Sequence, residues 1–133
     1  MSSDILIVED SLTQALRLKM ILEREGLTVS WVPNGRVAVE LATEKPPRAV
    51  IIDVNLPELD GFKVCQALRT HPATAEAALI LLTVRDHAQD TLTGLDAGAT
   101  AYIPKDDYAE ANLLQALRDL AILDPEPVEA SWG

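Results

Sequence analysis

Residues 49–61, Ala49-Val50-Ile51-Ile52-Asp53-Val54-Asn55-Leu56-Pro57-Glu58-Leu59-Asp60-Gly61, decide the fold. The run Ala49–Ile52 is apolar at every position and stops at an acid. A strand covered on both faces needs that pattern. Two more runs share it, Ile5–Val8 and Leu79–Leu82. Two others, Leu27–Val32 and Ala99–Ile103, alternate instead, as in Leu27-Thr28-Val29-Ser30-Trp31 and Ala99-Thr100-Ala101-Tyr102-Ile103. Alternation implies one partly wet face, as at a sheet edge. Every gap between runs exceeds the roughly dozen residues that a parallel crossover needs.

The gaps carry helical patterns. The first helix begins near Ser11, a good N-cap, with Leu12, Ala15, Leu16, Ile21 and Leu22 as its apolar positions, and Gly26 ends it. The second runs from about Asn34 to Glu44 and stops at Pro46-Pro47. The third, Gly61 to Thr70, places Phe62, Cys65 and Leu68 at helical spacing before His71-Pro72. The fourth, Asp86 to Ala97, is weak: it contains Thr91, Thr93 and Gly94 and offers only Ala88, Leu92 and Leu95 as a stripe. The fifth opens on Asp107-x-x-Glu110, a capping-box spacing with Asp107 as cap, and continues through Leu113, Leu114, Leu117 and Leu120. Alternating strand and helix signals predict an α/β domain with a doubly wound, five-stranded parallel sheet. Central runs 1, 3 and 4 with edge runs 2 and 5 give the order 2-1-3-4-5 under right-handed crossovers, the flavodoxin-like three-layer arrangement.

The chain of 133 residues fits one domain, taken as residues 1–123, with the acidic, proline-containing 124–133 read as a tail or clipped linker. Eleven Lys and Arg against 21 Asp and Glu give a net charge of −10. That charge and the absence of a basic run argue against direct contact with nucleic acid or an anionic membrane surface. The N-terminus MSSDILIVED has neither a basic segment nor a long apolar one, so the expectation is a cytoplasmic protein. Cys65, the single cysteine, reads as a small buried hydrophobe.

Ligands of an open parallel sheet bind beyond the carboxyl ends of its strands, where the winding reverses. Here that crevice lies between strands 1 and 3, which end in Glu9-Asp10 and Asp53. Strand 4 ends at Thr83 and strand 5 at Ile103-Pro104-Lys105. Carboxylates about 4 Å apart repel by roughly 4 kcal/mol at an effective dielectric of about 20, so a proton or a cation must neutralise them. Hard oxygen donors with room for water suit Mg²⁺ better than zinc, and neither His71 nor His87 stands at a strand end. An ammonium and a hydroxyl beside such an ion suit a phosphoryl group, and one carboxylate can act as its nucleophile.

Over roughly residues 3 to 123 the chain resembles the receiver domain of two-component response regulators. The resemblance lies in ILIVEDS at 5–11, VIIDVNLPELDG at 50–61, LILLTV at 79–84 and GLDAGATAYIPK at 94–105. It implies Asp53 as phosphoacceptor, with a sensor histidine kinase or phosphotransfer protein as donor. It implies Mg²⁺ held by Glu9, Asp10, Asp53 and the Asn55 carbonyl. Lys105 would pair with the phosphoryl group, Thr83 would hydrogen-bond it, and Tyr102 would be the switch aromatic. Pro57, Asp60 and Gly61 match the turn that shapes the active-site loop. The implied output is a downstream protein bound on the surface of helix 4, strand 5 and helix 5, and a homodimer is left open. A receiver of this kind is a regulatory phosphoacceptor and not a turnover enzyme. Glu9 replaces the more usual Asp, Val84 replaces a small residue, and Asp106 follows Lys105 where the family has proline. Arg85 and Asn55 stand where the family tunes dephosphorylation.

Two other readings compete. A phosphate-independent interaction module is suggested by Val84 and Asp106, against the complete acid trio, Thr83 and Lys105. A hydrolase with an Asp nucleophile would want an acid two residues after Asp53, where the chain has Asn55. Trp31 reads as packing, and His71, His87 and Trp132 receive no role.

Overall fold

The computed structural model describes residues 3–84 and 88–125. Its elements follow one another as β1 (Ile5–Val8), α1 (Leu12–Arg24), β2 (Val29–Val32), α2 (Gly35–Glu44), β3 (Ala49–Asp53), α3 (Gly61–Thr70), β4 (Ala78–Thr83), α4 (Ala88–Asp96), β5 (Ala101–Pro104) and α5 (Ala109–Asp119). The sheet is five-stranded in the order β2-β1-β3-β4-β5, and every neighbouring pair is parallel. Arg85, Asp86, His87, Trp132 and most of the 124–133 tail lie outside the described residues.

Strand periodicity splits the core in two. Leu6, Val8, Val50, Ile52, Leu79 and Leu81 face α2 and α3, where Ala38, Ala42, Val64, Cys65 and Leu68 complete one cluster. Ile5, Ile7, Ile51, Ile80, Leu82 and Ile103 face the other way, onto Leu22 of α1 and Leu113 and Leu117 of α5. β1 and β3 are buried at every position and β4 from Leu79 onward, whereas the middle of β2 and most of β5 are only half-buried. Burial pushes the Cys65 thiol up to about 11, so it is an unreactive packing group.

Capping explains where most elements begin and end. The Ser11 hydroxyl accepts the Gln14 N–H at 3.3 Å, Asn34 Oδ1 that of Val37 at 2.9 Å, and Asp60 Oδ1 that of Lys63 at 3.0 Å. Gly26 ends α1 in the left-handed region with φ 87°. Strands β2 and β5 start two residues later than their alternation suggests. Leu27 donates its N–H back to Leu22, and Ala99 donates its own to Gly94, so each closes the preceding helix. Helix α5 also departs from expectation. Its N-cap is Tyr108, without a side-chain cap, and the Asp107–Glu110 box does not form. Asp106 Oδ1 instead accepts the Tyr108 N–H at 2.8 Å, and Glu110 turns to Arg17 of α1 at 2.7 Å.

Two apolar stripes are not buried as their spacing suggests. In α1 the buried positions are Ala15 and Leu22, while Leu12, Leu16 and Met20 lie outside. In α4, Leu92 and Leu95 are 56% and 49% exposed, and among its residues with described side chains the helix buries only Gly94.

Arg69, near the end of α3, ties the other end of the sheet together. Its guanidinium donates to the carbonyls of Gly98, Ala75 and Ala77 at 2.7–3.0 Å. One charged fork thus joins α3, the approach to β4 and the α4–β5 turn. Arg69→Met would keep the stem and strand these carbonyls, costing about 2–4 kcal/mol. A urea-unfolding midpoint within error of the wild type would show that the fork contributes nothing.

Candidate functional site

Every residue singled out at a strand end lies at the same edge of the sheet, because parallel strands in register present their carboxyl ends together. Glu9 and Asp10 follow β1, Asp53 is the last residue of β3, Thr83 the last of β4, and Lys105 follows β5. One carboxylate oxygen from each of Glu9, Asp10 and Asp53 lies within 4.8 Å of the others. Glu9 and Asp53 are 2% and 5% exposed, and Asp10 opens to solvent.

Lys105 answers this charge. Its Nζ lies 3.2 Å from Asp53 Oδ2, 3.3 Å from Glu9 Oε2 and 2.9 Å from Gln14 Oε1. An ammonium has three N–H donors, and three acceptors surround it. The second oxygens of the buried acids receive backbone N–H groups: Asn55 donates to Asp53 Oδ1 at 3.0 Å and Ser11 to Glu9 Oε1 at 3.1 Å. The β3–α3 loop is seated tightly. A Cβ on Gly61 would stand 2.6 Å from the Asp53 carbonyl oxygen and 2.7 Å from Val54 Cα, so only glycine lets α3 start there.

Thr83 is fully buried, and its carbonyl accepts the Lys105 N–H at 2.7 Å. Tyr102 stands opposite Leu81 in the β4–β5 register and is half-buried. Its ring lies over Gly94 of α4, so close that a Cβ there would be 2.8 Å from Tyr102 Cδ2. Val84 is exposed and walls a cavity of about 540 Å³ between α1 and α5, beside Gln14 and Lys105. Asn55 is exposed and joins the site through its backbone.

Two contributors were not anticipated. Gln14 sits four residues after Asp10, and helical side chains lean toward the N-terminus, so a polar residue there reaches back over the crevice. Trp31 was read as packing, yet its Nε1 donates to the Glu9 carbonyl at 2.6 Å. The signal was available: a half-buried indole N–H requires an acceptor.

The chain matches the family model described as response regulator receiver domain over residues 5–118. It belongs to that family. It is similar to the response regulator MprA of Mycolicibacterium vanbaalenii, with 37% identity over 116 residues, 87% of this chain and 49% of that protein. The chain therefore spans about half the length of the curated relatives it matches. Among solved structures it resembles the signal receiver domain of a signal transduction histidine kinase from Syntrophus aciditrophicus, at 35% identity and a TM-score of 0.80, covering 96% of both chains. It also resembles the receiver domain of sensor histidine kinase PA1611 from Pseudomonas aeruginosa PAO1, at 28% identity and a TM-score of 0.79, covering 90% of this chain and 97% of that one. That structure has a magnesium ion coordinated in the active site cleft. No helix among the described residues is long and apolar enough to cross a membrane.

The electrostatics of this receiver fit a cation. Glu9 is pushed up from 4.5 to about 6, first by burial and then by the Asp53 charge, with the Ser11 N–H and Lys105 pulling back. The three donor groups are all hard oxygens, as Mg²⁺ prefers. Because the folded protein holds the Glu9 proton more tightly than the unfolded chain, stability of the metal-free protein falls as pH rises from about 4.5 to 6, by on the order of 2 kcal/mol. Glu9→Gln keeps the shape and removes the charge. In EDTA at pH 7.5 it should be about 1–2 kcal/mol more stable than wild type, with the gain vanishing toward pH 4.5. Parallel stability–pH curves for the two proteins would place the penalty on another group.

Proposed function

We propose that Asp53 is the phosphoacceptor of this receiver and that phosphorylation there controls a protein-binding surface. The observation that carries this reading is the convergence of Glu9, Asp10 and Asp53 within 4.8 Å, with the Lys105 ammonium 3.2 Å from Asp53. One Asp53 carboxylate oxygen attacks phosphorus. A P–O bond forms, the bond to the donor's leaving group breaks, and an acyl phosphate results. Glu9, Asp10, Asp53 and the Asn55 carbonyl would hold Mg²⁺. A bound Mg²⁺ supplies positive charge that offsets repulsion between the acids and the incoming phosphoryl oxygens. Lys105 adds a positive charge 3.2 Å from Asp53, and Thr83 carries a hydroxyl at the end of the neighbouring strand.

The donor is a sensor histidine kinase or a phosphotransfer protein acting in the cytoplasm. Any protein donor reaching Asp53 must pass the mouth of the crevice, where the exposed Leu12, Leu16 and Met20 of α1 begin. Residues 1–123 form the receiver unit, and 124–133 lie beyond it. Forming the acyl phosphate and losing it again to water are the extent of the chain's own chemistry. Asn55, where an Asp-nucleophile hydrolase needs an acid, speaks against turnover of substrates. The complete acid trio and its paired lysine also speak against a module that ignores phosphate.

Output follows from β5. Lys105 and Tyr102 lie on one short stretch of chain, and the Tyr102 ring presses on α4. A phosphoryl group that draws in Thr83 and Lys105 shifts the population of Tyr102 and α4, and with them the α4–β5–α5 surface. Incubation with a small phosphodonor and Mg²⁺ should add one phosphoryl mass to the wild type and none to Asp53→Asn. Equal labelling of the two removes Asp53 from its role.

The ring contact has its own test. Gly→Ala inside an open helix gains roughly 1 kcal/mol. With Tyr102 in place the added methyl collides with the ring, so Gly94→Ala should lose that gain and recover part of it in a Tyr102→Ala background, where Leu81 Cδ1 at 3.1 Å remains the nearest neighbour. Unfolding midpoints of the four proteins should give a coupling of about 1 kcal/mol. Simple additivity would mean that ring and helix are independent.

A further inference from the structure

Glu9 is tied to the edge strand at two points. Its N–H donates to the Val32 carbonyl at 3.2 Å, and its own carbonyl accepts the indole N–H of Trp31 at 2.6 Å. The second bond differs in kind because a side chain supplies it. Trp31 pairs in register with Ile7, so the indole reaches two residues along the neighbouring strand, past Val8, to arrive at Glu9.

The carbonyl it grips has a specific position. It belongs to the peptide unit joining Glu9 to Asp10, the two consecutive acids of the cluster. A peptide is planar, so the oxygen's direction fixes the plane, and the plane fixes where Asp10 N and Cα lie, leaving only the Asp10 φ to set its Cα–Cβ bond. Glu9 has other restraints: burial, the Ser11 N–H on Oε1 and Lys105 on Oε2. Asp10 is the solvent-exposed member of the trio, and its carboxylate depends most on the backbone that carries it.

We propose that Trp31 is a positioning residue for the divalent-cation site, orienting the Glu9–Asp10 peptide so that both carboxylates face Asp53. This rests on the reading that the acid trio holds a cation. Groups outside the ligand shell that orient ligands commonly change metal affinity by about 10–100-fold when removed. The contact here is to the backbone of a ligand pair, so a change of about five- to tenfold is expected.

The test uses the full chain and Mg²⁺ alone. In ¹H–¹⁵N spectra the chain gives two indole signals, from Trp31 and Trp132, and Trp31→Phe identifies the first by its disappearance. The Trp31 indole signal of the wild type should move as Mg²⁺ is titrated, in step with the Asp10 amide. Trp31→Phe keeps an aromatic ring but has no N–H to donate. Its Mg²⁺ dissociation constant, followed on backbone amides, should rise five- to tenfold, while the amide spectrum away from β1 and β2 stays unchanged. Phosphorylation from a small donor should then need more Mg²⁺ for half-saturation and reach the same rate at saturation. If the wild type binds Mg²⁺ while its indole signal stays still, the proposal is overturned, whether or not the variant folds. Equal Mg²⁺ affinity in wild type and a folded Trp31→Phe overturns it too. If no wild-type resonance responds to Mg²⁺, the cation reading itself fails, and the positioning role with it.

Discussion

The fold forces like charges together. Parallel register brings the ends of β1 and β3 side by side, and Glu9, Asp10 and Asp53 come with them. At 4.8 Å and an effective dielectric of about 20, two carboxylates repel by roughly 3 kcal/mol. Nothing about folding requires this, since a strand may end in any residue that can meet water. The arrangement is stable only because other groups are set against it. Lys105 bridges two acids, and the backbone N–H groups of Ser11 and Asn55 take the remaining oxygens of Glu9 and Asp53. The compensation is incomplete, as the elevated Glu9 shows. A site left short of positive charge has a standing demand for a cation, and the energy of that demand becomes binding energy when one arrives.

The scaffold around the crevice is correspondingly stiff. The central strands are buried almost throughout, and the Cβ-free approach of Gly61 to the Asp53 backbone pins the loop that carries Asp53. Packing is sparser toward α4. Helix α4 leaves its leucines in water and meets the sheet through Gly94, against the Tyr102 ring. In the proposed switch, the contact between Gly94 and the Tyr102 ring is where a change at the site would reach α4.

Much of this was readable from residue order. Apolar runs at Ile5–Val8, Ala49–Ile52 and Leu79–Leu82 differ from alternating ones by a pattern that burial on two faces dictates, so the strand order followed from hydrophobicity and handedness alone. The acids were legible because strand order fixes which strand ends meet. Boundaries were harder. Leu27 and Ala99 fit a strand pattern, yet both are spent on closing a helix, a choice made by hydrogen bonds to Leu22 and Gly94. Asp107 suits a cap, yet the helix starts from Tyr108 without a side-chain cap, and Asp106 takes the Tyr108 N–H instead. The positions Leu12, Ala15, Leu16, Ile21 and Leu22 mark a helix but not which of them face inward. Gln14, Arg69 and Trp31 act through long side chains that cross between elements, and no periodicity encodes such reach.

The placement of Lys105 has a mechanical consequence. Its side chain lies among the acids, while its backbone N–H is bonded to the Thr83 carbonyl one step beyond the last paired residues of β4 and β5. The lysine and the threonine are thus joined through the main chain before any phosphoryl group is present. A ligand shifts an equilibrium only by its differential affinity for the two states. A shift of the Lys105 main chain, as distinct from a rotation of its side chain, must either carry the end of β4 with it or break that hydrogen bond. Tyr102 lies three residues earlier, within β5, and stands opposite Leu81 of β4. The proposed link between charge at Asp53 and the posture of α4 thus runs through two strand ends and the Tyr102 ring.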